Sequence, residues 1–177
     1  MNNLPPIQAK HYRVQVLTEH YEFAGALEPF GLLMIYLNDP EHSTIILKNA
    51  QAVTLDMETV SQLDTFQSEE LLMHRDEIIA INLLDPVTPG TIKLMPRRER
   101  LRVFLPRFIL QATFSCGAEA RLGDFFDSTA GFWAAALDAA VRPILPTKHP
   151  TFTESKTILI NKQHIRFYQL VKEQGAG

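Results

Sequence analysis

Apolar and polar positions alternate through His11-Tyr12-Arg13-Val14-Gln15-Val16-Leu17 and again through Tyr21-Glu22-Phe23-Ala24-Gly25-Ala26-Leu27, with a polar Thr18-Glu19-His20 between the two runs. Period-2 alternation puts one set of side chains on each face of a strand, so residues 11–27 predict a hairpin with one apolar face. Gly31 to Asp39 changes period: Leu32, Leu33, Tyr36 and Leu37 fall at helical spacing, and Pro40 stops the helix because it cannot donate to the next turn. A β-prone run follows at Ser43-Thr44-Ile45-Ile46-Leu47, then a polar stretch, Asp56 to Glu70, too hydrophilic for a core. Leu71-Leu72-Met73 and Ile78-Ile79-Ala80-Ile81 then form two further β-prone runs that meet at a charged Arg75-Asp76 turn.

This series returns in the second part of the chain. Leu101-Arg102-Val103-Phe104-Leu105 and Phe108 to Phe114 predict a second hairpin turning at Pro106-Arg107, and Tyr21, Phe23, Gly25 and Leu27 match Phe108, Leu110, Ala112 and Phe114 at an offset of 87. Leu33, Tyr36, Leu37, Asn38, Asp39, Asn49 and Ala50 match Leu122, Phe125, Phe126, Asp127, Ser128, Asp138 and Ala139 at 89, a change that a two-residue insertion around Ser115 to Ala118 explains. Met73 to Ile78 then match Ile160 to Ile165, again at 87. Self-similarity in a fixed order is read before local propensity. It decides the one stretch where propensity points elsewhere: Trp133 to Ala140, rich in alanine, reads alone as helix, but its alignment with Thr44 onward predicts a strand.

The expected fold is therefore mainly β: two tandem units, each a small, strongly bent antiparallel sheet or open barrel with one short helix, packed about a pseudo-twofold axis. Residues 1–9 form a tail, 10–85 the first unit, 86–98 a linker through Pro86-Val87-Thr88-Pro89-Gly90, 99–173 the second unit and 174–177 a tail. Units of this size bury little surface alone. The aromatic surplus of the second (Phe104, Phe108, Phe114, Phe125, Phe126, Phe132, Trp133) is read as core that also supplies a shared interface. Ser43 to Leu47 and Ile158 to Phe167 are candidate sheet edges for pairing with another copy, and the residues leave the oligomeric state open.

The pattern of hairpin, Leu-x-x-Tyr/Phe-Leu/Phe-Asn/Asp, strand, Asn/Asp-Ala and a basic turn leading to Ile resembles small bacterial proteins of unknown function, some with Sm-like or SH3-like β barrels. It is carried by Leu33, Tyr36, Leu37, Asn38, Asn49, Ala50, Arg75 and Ile78, and by Leu122, Phe125, Phe126, Asp127, Asp138, Ala139, Lys162 and Ile165. The resemblance implies a fold and no activity. In Sm proteins the helix comes first, whereas here it falls between the second and third strands, so RNA binding is not carried over. Pro96-Arg97-Arg98-Glu99-Arg100-Leu101-Arg102-Val103 resembles the start of PilZ domains, which bind cyclic di-GMP through Arg-x-x-x-Arg and a later Asp/Asn-x-Ser-x-x-Gly. Arg98 and Arg102 fit the first element and Ser128 and Gly131 the second, but Phe126 stands where the carboxylate or amide belongs, and Asp127 is one place off. On this resemblance Arg97, Arg98, Arg100, Arg102, Ser128 and Gly131 would bind the dinucleotide; the preferred reading is a solvated basic linker.

Composition narrows function mainly by exclusion. A hydrophobic share of 46% and a charged share of 21% over 177 residues mark an ordinary globular chain, and the net charge of −3 argues against general nucleic-acid binding, which needs clustered cations. No apolar run approaches the ~20 residues of a membrane helix, so a soluble cytoplasmic protein is expected. Cys116 is the sole cysteine, expected to be a small buried residue, and rules out an internal disulfide. His11, His20, His42, His74, His149 and His164 are dispersed, His149 reading as an exposed loop residue, and Asp56, Glu58 and Asp64 read as solvated loop charge. With no Gly-rich phosphate loop or nucleophile motif, no enzyme and no cofactor is expected. The reading is a non-enzymatic interaction or regulatory module with a protein partner; the alternatives are a PilZ-like cyclic-dinucleotide sensor and an Sm-like nucleic-acid-binding protein.

Overall fold

A computed structural model describes residues 10–171 apart from 59, 61–62, 88–90, 93–94, 120 and 128–130. The predicted hairpin is β1 (Tyr12–Leu17) and β2 (Tyr21–Leu27), closed where Thr18 Oγ1 donates to the Tyr21 carbonyl at 2.9 Å. Helix α1 (Leu33–Asn38) buries Leu33 and Leu37, as the spacing predicts. Then come β3 (Thr44–Thr54), β4 (Thr65–His74), a 3-10 turn at Arg75–Glu77 and β5 (Ala80–Leu83). The second series is β6 (Arg97–Phe104), β7 (Phe108–Cys116), a 3-10 turn at Leu122–Asp124, β8 (Trp133–Pro143), β9 (Glu154–Asn161), a 3-10 turn at Lys162–His164 and β10 (Phe167–Leu170).

All ten strands belong to one antiparallel sheet, in the order β10-β6-β7-β8-β9-β5-β1-β2-β3-β4. This replaces the expected pair of separate sheets or barrels. The sheet is not closed, and β5 joins its halves by pairing with β1 on one side and β9 on the other. A twofold axis would pair like with like, or repeat every contact in reverse. Here β9 meets β5 while β4 and β10 lie at opposite ends of the sheet, so the strand order shows no pseudo-twofold. Ser43 to Leu47 and Ile158 to Asn161 are thereby inner strands, and of the anticipated edges only Phe167 lies on one.

Other differences have local causes. Propensity would make Trp133 to Ala140 helical, yet it is strand β8, in which the small side chains of Ala136 and Ala139 are buried. Thr65 to Glu70 are too polar for a core but form the start of β4, an edge strand that buries only Met73. The second helix is absent as such: Leu122–Asp124 makes a single 3-10 turn, leaving α1 as the one α-helix among the described residues, and no helix there is long and apolar enough to cross a membrane. Asn49 and Asp138 adopt positive φ (49° and 48°) where β3 and β8 each carry one extra residue against β2 and β7. Asn and Asp tolerate this left-handed conformation best among residues with a Cβ, and such a bulge bends the strand. The Asn-Ala and Asp-Ala pairs picked out in the sequence therefore mark the two bends.

Two hydrophobic clusters result, and each borrows from the other half. One combines Leu101, Phe108, Phe114, Phe125 and Phe126 with Leu17, Leu55, Ile79 and Ala80. The other combines Val14, Phe23, Leu33, Leu37 and Met73 with Trp133 and Leu159. Alternation along β5 and β9 sends Ala80, Ile158 and Ile160 to the first cluster and Ile81 and Leu159 to the second, so the four residues of β5 are all buried.

Candidate functional site

The arginines singled out in the sequence lie on β6, not in a linker. Arg98, Arg100 and Arg102 share one face by strand alternation, while Arg97 and Glu99 share the other with buried Leu101 and Val103. Arg97 Nε donates to Glu99 Oε1 at 2.9 Å, and its Nη1 to the Ala118 carbonyl at 3.2 Å. Arg100 Nη1 donates to Thr113 Oγ1 at 3.2 Å and to the carbonyl of Asp138 at 2.9 Å. Gly131 lies against the Asn38 side chain. Ser128 falls outside the described residues. Cys116 is buried, its Sγ facing the Arg97 carbonyl at 3.7 Å. His149 is half-buried rather than exposed, with Nε2 shielded from solvent.

Long-range polar contacts concentrate instead where the halves meet. On one side, Asn38 Oδ1 accepts from the backbone amides of Phe132 and Trp133 at 2.6 and 3.1 Å. The buried Arg75 guanidinium donates to the carbonyls of Asp39, at 2.6 Å, and His42, and lies 5.0 Å from the centre of the Phe132 ring. Asn161, fully buried, donates from Nδ2 to the Arg75 carbonyl at 3.1 Å, and His164 Nε2 lies 2.7 Å from the Asp76 carbonyl. On the other side, Arg107 donates to the Glu19 carbonyl at 2.9 Å and to the Asp56 carboxylate, which also lies 2.6 Å from His20 Nδ1. Desolvation alone would raise the Asp56 carboxyl, but the hydrogen bonds from Arg107 and His20 outweigh it and hold the group below the usual carboxylate range.

Between these two sides a line of polar side chains crosses the sheet. Ser155 Oγ donates to Asn82 Oδ1 at 2.6 Å, Asn82 Nδ2 to Gln15 Oε1 at 2.8 Å, and Gln15 Nε2 to Glu22 Oε1 at 3.0 Å. Burial pushes the Glu22 carboxyl up to about 7, against the pull of hydrogen bonds from the Phe152 amide and Gln15. By geometry its Oε2 is buried and has no hydrogen-bonding partner among the described residues. Ser155 and Asn82 open onto a cleft of about 740 Å³ walled by Leu83, Val87, Ile92 and Leu137. Among the described residues no three His, Cys, Asp or Glu side chains gather as metal ligands.

The remaining unusual surface is the pair of outer strands. Nothing pairs with the outer side of β4 or of β10 among the described residues. Leu72 on β4 and Phe167 and Leu170 on β10 are exposed, at 66%, 60% and 45%. Pattern reading found only the Leu71 to Met73 end of β4 and took Thr65 to Glu70 for a polar connection, because an edge strand need not alternate cleanly. No protein family, curated protein or solved structure matches this chain.

Proposed function

We propose that the chain is a duplicated β unit whose joined sheet works as a protein-interaction module, without catalysis of its own. Support for duplication comes from backbone hydrogen bonds that recur at one offset. Thr18 N to Tyr21 O, Ile79 N to Leu17 O and Leu84 N to Arg13 O have counterparts 87 residues on: Leu105 N to Phe108 O, Arg166 N to Phe104 O and Val171 N to Arg100 O. Arg75 N to Ser43 O, at 2.7 Å, corresponds to Lys162 N to Phe132 O, at 2.8 Å. Residues 12–83 pair in the order β5-β1-β2-β3-β4 and residues 97–170 in the matching order β10-β6-β7-β8-β9.

The observation that carries the interaction reading is the outer side of β4, ten residues long, which pairs with no strand among the described residues, with Leu72 largely exposed. Unpaired amides and carbonyls in a row form a template for another strand, and natural sheets cover or blunt such an edge unless it is used. A photo-crosslinking benzophenone amino acid at Leu72 of the full chain, irradiated in cells, is expected to give adducts to protein that the same label at Glu154, exposed on the inner strand β9, does not. Absence of adducts at Leu72, or equal adducts at both positions, overturns the reading.

The cyclic-dinucleotide alternative draws on Arg98 and Arg102, which share a face with Arg98 exposed. Arg97 and Arg100 already serve Glu99, Thr113 and Asp138. Saturable heat on titration with cyclic di-GMP, lost in Arg98→Ala, would establish that alternative.

A further inference from the structure

We infer that the partner of the bare edges is a second copy of this chain, joined head to tail by pairing β4 of one molecule with β10 of the next. The inference rests on the duplication proposed above and names the occupant of the same edges. Inside the chain, β9 and β5 make a junction in which Ala80 opposes Ile160, Ile81 opposes Leu159 and Asn82 opposes Ile158, and the Asn161 amide donates to the Ile79 carbonyl at 3.0 Å. β4 holds in its half the place of β9, and β10 that of β5. Moved by 87 residues, the junction sets Phe167 opposite Met73, Tyr168 opposite Leu72 and Gln169 opposite Leu71, with the His74 amide donating to the Arg166 carbonyl of the neighbour.

Burial and charge fit that pairing. Leu72 is 66% exposed while its counterpart in the internal junction, Leu159, is 0%; Phe167 is 60% against 1% for Ala80, and Leu170 45% against 4% for Leu83. The apolar side chains left in water on the outer strands thus stand where the internal junction is dry, and pairing removes them from solvent. The charges at the two ends also differ: exposed Glu69 and Glu70 lie on β4, Glu70 paired with Lys48 of β3, whereas Arg166 precedes β10 and Arg98 and Arg102 lie on β6 beside it, where Glu99 is already paired with Arg97. Unlike ends that each chain carries once make a heterologous contact, which propagates into a ring where the rotation closes and into a filament where it does not.

The test is the mass in solution of the purified full chain at roughly 100 μM, a concentration that saturates a micromolar contact. The wild type is expected at multiples of the chain mass. Leu72→Lys blocks the β4 edge. Leu170→Pro blocks the β10 edge, because Val171 N–H donates inward to the Arg100 carbonyl and alternation turns the Leu170 N–H outward. Leu170→Asp, which would face Glu70 of the neighbour, serves in its place if the proline lowers the melting temperature. Each variant alone is expected to be a monomer, and an equimolar mixture of the two a dimer, since each keeps the edge that the other lacks. A monomeric wild type, assembly that survives either variant, or a mixture that stays monomeric overturns the inference. A monomeric wild type that still cross-links through Leu72 in cells removes only the second copy and leaves the interaction reading standing.

Discussion

On the duplication proposed above, which sets the counterparts compared below, β9 and β4 stand in the same place in the two halves and differ in what lies beyond them. Each pairs with the strand before it in matching register, Ala134 opposite Ile160 and Ile45 opposite Met73. β9 also pairs with β5, and its Thr157 to Asn161 are buried without a break; β4 has no strand beyond it among the described residues, and of its ten residues only Met73 is buried. Burial here follows from the neighbours a strand has rather than from its position in its own half. The sequences agree with this: Thr157-Ile158-Leu159-Ile160 suits a strand covered on both faces, whereas Ser68-Glu69-Glu70 tolerates water.

The same contrast holds at the seam, where its energetic consequences are largest. Trp133 opens β8 and is 2% exposed in the first-half cluster beside Leu33 and Leu37, while its counterpart Thr44 opens β3 and is half-buried. Trp133→Ala removes a large side chain from a site framed by the other half, and an expected loss of about 3–5 kcal/mol follows from cavity formation. Thr44→Ala is expected to cost less than about 1 kcal/mol, the usual scale for a partly exposed site. Denaturant melts of the two variants measure the difference; equal costs would break the comparison. Because Trp133 ties the halves together, the wild type is expected to unfold in one transition by fluorescence and circular dichroism alike.

Glu22 offers the next largest effect, since the corresponding position in the second half, Ile109, has no charge to bury. The folded carboxyl, pushed up to about 7 from an ordinary value of 4.5, binds its proton more tightly than the unfolded one does. Stability from this group is therefore complete below pH 4.5, declines as pH rises through about 7, and levels off above that. At about 1.4 kcal/mol per pKa unit, the loss across the window is roughly 3 kcal/mol. Glu22→Gln keeps the shape and a hydrogen-bonding group but cannot ionise, so its stability is expected to be flat over the same window and to exceed the wild type above pH 8. A wild-type profile as flat as that of the variant would refute the buried-acid account.

Asn38 follows. Its Oδ1 accepts two backbone amides from the other half, whereas its counterpart Asp127 is exposed. Asn38→Ala leaves those amides without their acceptor, at an expected cost of about 1–3 kcal/mol, and Asp127→Ala is expected to stay within about 0.5 kcal/mol.

These positions also show where the sequence was informative. The hairpins were legible because alternation is local, and the β8 strand was legible only by alignment, since Ala134-Ala135-Ala136 favours a helix until the sheet around it is considered. The joining of the halves into one sheet was not legible: β5 is four residues long, and nothing in Ala80-Ile81-Asn82-Leu83 says whether its second neighbour is β9 or solvent. The seam was visible in part. Asn38 and Arg75 were picked out as recurring positions, but their contacts with Phe132 and Trp133 depend on residues more than fifty apart in sequence meeting through the fold. The basic run at Arg97 to Arg102 drew attention as a ligand motif because charge is conspicuous in a sequence, whereas the pairing that commits Arg97 to Glu99 and Arg100 to Asp138 is not.

Gly31 and Gly131 sharpen the comparison at its finest grain. Both hold left-handed backbone, φ 93° and 85°, so alanine at either position carries the strain of a Cβ in that conformation, about 1 kcal/mol. A Cβ on Gly31 meets nothing within 4 Å, whereas one on Gly131 would fall 2.2 Å from Asn38 Oδ1. That oxygen is held by the amides of Phe132 and Trp133 and cannot swing aside without giving them up. Gly131→Ala is therefore expected to cost roughly 1 kcal/mol more than Gly31→Ala, the additional cost being that of losing those hydrogen bonds. If so, the two substitutions at the seam share one loss: in the Asn38→Ala background Oδ1 and Cγ are gone and only Cβ, at 3.1 Å, remains, so Gly131→Ala should cost about as much as Gly31→Ala. A double-mutant cycle by chemical denaturation reads this directly as sub-additivity of about 1 kcal/mol. Full additivity would mean that Asn38 and Gly131 act separately and that the seam is not organised around the asparagine.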